Sequence, residues 1–259
     1  MRWAVILGAS SGFGAATARA LAAEGYGIFG VHLDRRGAQP AIDALVAELR
    51  AFGVPVEFRN GNAARDDTRA TIIEQIQATV GAGEVAVLLH SLAFGTLRPY
   101  LAPEGRDASI ARSHLEMTVD VMGHSLVYWA QDIVSCGLMV NGGRIFAMTS
   151  SGSLVAWPSY GAVSAAKAAL EAHVRQLALE LAPHGITVNG IMAGVTRTAA
   201  LEKIPGADEI ARKALERNPH GRLTQPEDVA HAIVALCSPR TAWITGNLIR
   251  VDGGETIAG

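Results

Sequence analysis

Aromatic side chains are scarce in this chain, at 5% of 259 residues. Set against 28 glycines and abundant alanine, that shortage suits closely packed helices and tight βα turns and argues against an all-β fold. Only two cysteines occur, Cys136 and Cys237. Both lie in apolar helical stretches and read as buried, reduced thiols rather than a disulfide framework. Net charge is almost absent as well: the formal value of −2 offers no electrostatic reason to bind nucleic acid or an anionic membrane. No apolar run approaches the ~18 residues a membrane helix requires, and no charged leader or cleavage site precedes the first strand-like segment. A cytoplasmic protein is the expectation, with no clustered residues suggesting a metal.

What is present is a regular alternation of strand and helix patterns without linker, repeat or low-complexity stretch. It predicts one α/β domain over residues 1–259, a doubly wound parallel sheet of about seven strands with helices on both faces. Trp3-Ala4-Val5-Ile6-Leu7 reads as a doubly buried strand. Gly8-Ala9-Ser10-Ser11-Gly12-Phe13-Gly14 follows, and then a helix to about Glu24. A strand, a glycine loop and a helix in that order bring backbone N–H groups to a pyrophosphate, so Gly8, Ser10, Ser11, Gly12, Phe13 and Gly14 are candidate dinucleotide contacts.

The second strand, Gly27 to Leu33, should end at the adenosine ribose. An acidic residue there favours NAD, and an arginine favours a 2′-phosphate. Asp34, Arg35 and Arg36 stand together just beyond the expected slot, with His32 nearer it. The two arginines point towards NADP(H) over NAD(H), and a merely solvated charged loop is the plain alternative. After the third strand, Asn62 and Ala63 lie in a polar turn; Asn62 could bond adenine or be an ordinary turn asparagine. Ser91 follows the fourth strand. His124, within a helical span from about Ala108 to Leu138, reads as a packed or interface histidine. A polar insert over 195–221 reads as a substrate lid.

The chemistry concentrates between Thr149 and Lys167. An apolar strand ends in Thr149 and Ser150, a small-residue loop follows, and a helix begins with Ser159 as candidate N-cap and Tyr160 as first helical residue. Tyr160 and Lys167 are seven residues apart, which at about 100° per residue returns to the same helix face roughly 10 Å along the axis. Lys167 lies among Ala165, Ala166, Ala168 and Ala169, a long cation with little polar company. Elsewhere a tyrosine at a helix start is an ordinary packed residue and the following lysine a solvated one.

These motifs, with the Asn189 strand, the Gly194–Thr198 turn and the closing Val251-Asp252-Gly253-Gly254, resemble the short-chain dehydrogenase/reductase family over essentially the whole chain. The resemblance implies a Rossmann-type fold. Most members carry Tyr-x-x-x-Lys, but here Val163 stands four before Lys167. The Tyr-x6-Lys spacing, His90-Ser91-Leu92-Ala93-Phe94 and Ala193-Gly194-Val195-Thr196-Arg197-Thr198 are similar to the enoyl-acyl-carrier-protein reductases, especially a smaller NADPH-using type. Met122 replaces the usual asparagine, and Ser150 stands where many enoyl reductases have a second tyrosine.

The resemblance implies reduction of an enoyl thioester, possibly carried by acyl carrier protein, by a homo-oligomer (tetramer or dimer). It implies Tyr160 at the substrate oxygen, Lys167 on the nicotinamide ribose, Ser150 (or Thr149) assisting, and Gly194, Val195 and Thr198 around the carboxamide. A carbonyl reductase with an atypical tyrosine, or a weakly catalytic nucleotide-binding regulator, are the competing expectations.

Overall fold

The computed structural model describes residues 1–258 and contains one seven-stranded, wholly parallel sheet in the order β3-β2-β1-β4-β5-β6-β7. The strands are β1 (Trp3–Leu7), β2 (Gly27–His32), β3 (Val56–Asn60), β4 (Val85–His90), β5 (Arg144–Ser150), β6 (Thr187–Ala193) and β7 (Leu248–Val251). Between them run α1 (Gly12–Ala23), α2 (Gln39–Arg50), α3 (Asp66–Val80), α4 (Arg112–Val119), α5 (Ser125–Ser135), α6 (Gly161–Leu181), α7 (Ala207–Arg217) and α8 (Pro226–Leu236). Strand order reverses between β1 and β4, which opens a crevice at the carboxyl ends of the strands, where such sheets take ligands.

The two faces of the sheet follow from side-chain alternation. Val5, Leu7, Phe29 and Leu88 meet α3, α5 and α6 through Ile76, Trp129 and Leu170. Ala4, Ile6, Ile28 and Phe146 meet α1, α2 and α8 through Leu21, Leu49 and Ile233. Burial of each large side chain stabilises the fold by about 1.5–3 kcal/mol. At the crossing of β1 into α1 the backbone must approach itself closely. A Cβ at Gly14 would overlap the carbonyl oxygen of Gly8, so only glycine lets α1 begin directly over the end of β1.

Several expectations shift by a residue or two. β3 begins at Val56, after Pro55, which cannot donate to a ladder. The long helical span divides into α4, a π-turn over Asp120–His124, and α5. Ser159 does not cap α6. It takes a left-handed φ of 63°, which reverses the chain after Pro158, so that Tyr160 becomes the cap and Gly161 the first helical residue. The expectation of two buried thiols fails at Cys136, which is exposed where α5 ends, because the helix has already left the core; Cys237 is half-buried, and burial pushes its thiol up to about 11. No helix among the described residues is long and apolar enough to cross a membrane.

Trp129 joins the fold to the site. Fully buried on α5, its Nε1–H donates to the carbonyl oxygen of Ala63 at 2.8 Å, fixing the turn after β3. Trp129→Phe keeps most of the volume but leaves that carbonyl without its donor. The expected loss is about 1–3 kcal/mol of unfolding free energy, read as a lower urea midpoint at unchanged m-value.

Candidate active site

A cavity of about 1060 Å³ runs along the carboxyl edge of the sheet, from Arg35 at one end to Tyr160 and α7 at the other. Gly8, Ser10, Ser11, Gly12 and Phe13 line its middle. Ser11, the N-cap of α1, makes no side-chain capping bond, so the first N–H groups of that helix are left to whatever occupies the cavity. Gly14 does not line the cavity; it serves the close packing behind it. An uncapped helix N-terminus reached through a backbone cradle that admits no Cβ fits a pyrophosphate.

At the β2 end, Asp34 and Arg35 line the cavity and Arg36 does not. The Asp34 carboxylate meets the buried His32 ring, Oδ2 to Nδ1 at 3.0 Å, and Asn60 Nδ2 donates to the Asp34 carbonyl at 2.9 Å. Asn62 and Ala63 also line it. Asn62 Oδ1 accepts from the Ala64 N–H at 3.0 Å, so this is a turn asparagine whose amide NH₂ remains for a ligand. Ser91 is held by its N–H to the Leu7 carbonyl at 2.9 Å.

The chemistry-bearing end is built from β5 and α6. Lys167, 6% exposed, donates through Nζ to the carbonyl oxygen of Met148 at 2.7 Å. Burial draws its ammonium down to about 8, partly opposed by the Glu171 carboxylate one turn further along α6. The Tyr160 phenol is raised by burial, with a smaller opposing pull from the Ser150 hydroxyl. At neutral pH the site therefore holds a neutral phenol, a hydrogen-bond donor, and a charged ammonium on one line of the helix.

Of the two candidate hydroxyls, Ser150 faces Tyr160, whereas Thr149 is buried and donates to Glu171 Oε1 at 2.6 Å. Val163, where a closer tyrosine would stand, is buried in an apolar cluster with Met122, Val121 and Ala166. His124 lies outside the cavity lining and pairs with His173 of α6, Nδ1 to Nε2 at 2.9 Å, as a packed histidine would.

Gly194, Val195 and Thr198 line the same wall. The Val195 N–H is already donated to Glu255 Oε2 at 2.9 Å, which leaves its carbonyl and side chain for a ligand. Glu255, 2% exposed, carried no signal in the sequence, because a lone glutamate near the end of a chain has no motif around it. Trp157 carries no sequence signal either. Its Nε1–H reaches the Pro205 carbonyl at 2.9 Å and Lys213 lies 5.3 Å over its ring, tying the loop after β5 to α7. Both links join segments roughly fifty residues apart, beyond any local pattern.

His90 closes the end of β4, fully buried, with Nε2 at 2.8 Å from Ser125 Oγ. Because that hydroxyl donates to the Val121 carbonyl, His90 donates to it through Nε2–H. Burial, with the Lys167 charge nearby, lowers its pKa to about 3. The folded pKa lies below the unfolded value near 6.5, so the unfolded chain binds the proton first and stability is lost as pH falls between the two. His90→Gln keeps a donor without the titration. Between pH 6 and 4 wild-type stability should fall more steeply than the variant's, by up to about 1.4 kcal/mol per pH unit in parallel urea titrations.

A sequence model described as Enoyl-(Acyl carrier protein) reductase matches residues 8–256. The enoyl-[acyl-carrier-protein] reductase [NADPH] of Staphylococcus aureus is 34% identical over 70% of this chain and 68% of its own length. The [NADH] enzyme of Aquifex aeolicus is 30% identical over 68% of this chain and 64% of its own length, so the sequence alignment spans a little under two thirds of that relative. Its crystal structure superposes with a TM-score of 0.84 at 26% identity, covering 100% of this chain and 97% of that one. A galactitol 2-dehydrogenase of Cereibacter sphaeroides is 31% identical over 98% of this chain and 94% of its own length. By the extent of the family match and by its fold, the chain belongs to the enoyl-(acyl carrier protein) reductase family within the short-chain dehydrogenase/reductases.

Proposed function

We propose that this protein is an NAD(P)H-dependent reductase of enoyl thioesters. One observation carries the reading. The phenol stands at the cap of α6, seven residues before Lys167, while the nearer slot is filled by Val163 inside an apolar cluster. In a ketone, the oxygen to be protonated sits on the carbon that is reduced. In a conjugated enoyl thioester the β-carbon is reduced and charge collects on an oxygen about two bonds further away. A phenol displaced by roughly one helical turn suits that oxygen.

A reduced nicotinamide, when bound, supplies the hydride. The α1 N-terminus and the loop Gly8–Phe13 would hold its pyrophosphate, Asn62 and Ala63 its adenine side, Ser91, Lys167, Gly194, Val195 and Thr198 its nicotinamide half. Tyr160 donates its hydrogen bond to the thioester oxygen as charge develops there, and Ser150 orients the phenol. The Lys167 charge favours the phenol as donor. Phe94, Val155, Leu201, Ile204 and Ile210 give the cavity an apolar wall for an acyl chain. The segment 195–221, containing α7, acts as its lid. The thioester is carried by acyl carrier protein or coenzyme A, and the chain works as a homo-oligomer.

For the cofactor we favour NADPH. Arg35 lines the cavity, while the carboxylate of Asp34 is engaged by His32. The S. aureus relative is described as an NADPH enzyme and the A. aeolicus one as an NADH enzyme. Arg35→Ala should weaken NADPH about tenfold or more in fluorescence titrations and leave NADH nearly unchanged, as loss of a charge-assisted phosphate contact requires. Equal loss for both would remove Arg35 from a phosphate site.

The second reading is a carbonyl reductase, supported by the near full-length similarity to galactitol 2-dehydrogenase. Crotonyl and acetoacetyl thioesters separate the two: the enoyl substrate should be turned over, and turnover of the keto substrate alone would sink the first reading. Tyr160→Phe should lower kcat about 10²–10⁴-fold with cofactor affinity unchanged; undiminished turnover would take Tyr160 out of the mechanism.

A further inference from the structure

We infer that Glu171, a buried carboxylate one turn beyond Lys167 on α6, is a positioning residue that holds Lys167 as an ammonium against the cofactor ribose. The inference rests on the reading of Lys167 as the ribose-binding group. Tyr160, Lys167 and Glu171 stand at intervals of seven and four, so at about 100° per residue all three fall within roughly 40° of one line along α6. That line lies against the last three residues of β5. Ser150 faces Tyr160, the Met148 carbonyl receives Lys167 Nζ at 2.7 Å, and Thr149 donates to Glu171 Oε1 at 2.6 Å. Glu171 is 6% exposed and has no cationic partner within ion-pair distance among the described residues. A carboxylate so buried is costly unless a charge nearby offsets it.

Among the groups facing Lys167, Glu171 is the one whose charge opposes the effect of burial. On α6 itself Glu171 draws the ammonium pKa upward against burial. From β4, His90 is neutral above about pH 3 and contributes no charge in the range concerned. Tyr160, at the helix cap, is raised above its ordinary value of 10 and stays neutral while Lys167 titrates near 8. Met148 offers only a carbonyl, which one N–H of an ammonium satisfies and which cannot hold a charge alone.

The test is the pH dependence of NADPH affinity, measured by fluorescence titration between pH 6 and 10 without acyl substrate. Wild type should lose affinity with a midpoint near 8 as Lys167 gives up its proton. Glu171→Gln, which keeps the acceptor for Thr149, should move that midpoint down by about one pH unit. Glu171→Leu, neutral and of similar volume, should do the same should the glutamine variant fold poorly. Glu171→Asp should restore the wild-type midpoint. A midpoint identical in the wild type and both neutral variants, with affinity lowered evenly at every pH, would assign Glu171 a purely structural role and overturn the inference. A wild-type profile with no alkaline limb would instead overturn the reading of Lys167, whatever Glu171 does.

Discussion

The bond from Lys167 Nζ to the Met148 carbonyl is the contact on which the site depends. It takes a cation out of water, and the surrounding structure exists to make that tolerable. β5 is central in the sheet, flanked by β4 and β6, so its carbonyl at position 148 is held rigidly. α6 is long, with an apolar stripe through Leu170, Val174, Leu177 and Leu181 that fixes its rotation against the sheet. With the rotation fixed, Lys167 must meet the end of β5, and Tyr160 at the helix cap must meet the loop that follows. The phenol's position is therefore a consequence of how α6 packs, not of local sequence preference.

The dinucleotide half is built on another constraint, the close passage of α1 over the end of β1. Gly14 makes that passage possible, and the absence of a side-chain cap at Ser11 leaves the helix N-terminus to a ligand. The two halves meet at the crevice where strand order reverses. Trp129 in one core fixes the Ala63 turn, and Glu255 fixes the wall at Val195. Two walls of the cavity are thus anchored by buried polar groups whose partners lie far away in sequence.

That arrangement explains what could be read from the chain alone. Strand–helix alternation, the glycine loop and the Tyr160–Lys167 interval are local patterns, and the sheet and cavity agree with them. α6 starts one residue later than its sequence suggests: Ser159 has the composition of a cap, but its left-handed backbone follows from the turn after Pro158. At Ser159 tertiary geometry overrules local composition. The exposure of Cys136 follows from where α5 leaves the core, which apolar neighbours do not reveal. Ser150 is the preferred hydroxyl in the sequence with Thr149 as the alternative; Glu171, more than twenty residues on, claims Thr149 and leaves Ser150 to Tyr160. Glu255 and Trp157 likewise depend on partners distant in sequence.

On the proposed function, the displaced phenol serves a carbon–carbon double bond. Reduction of crotonyl thioester with a nicotinamide cofactor deuterated at C4, followed by NMR of the product, tests it most directly. The expected product is butyryl thioester with deuterium at C3, the β-carbon, and none at C1. Absence of a saturated product, with deuterium transferred instead only to the carbinol carbon of a keto thioester, would contradict it.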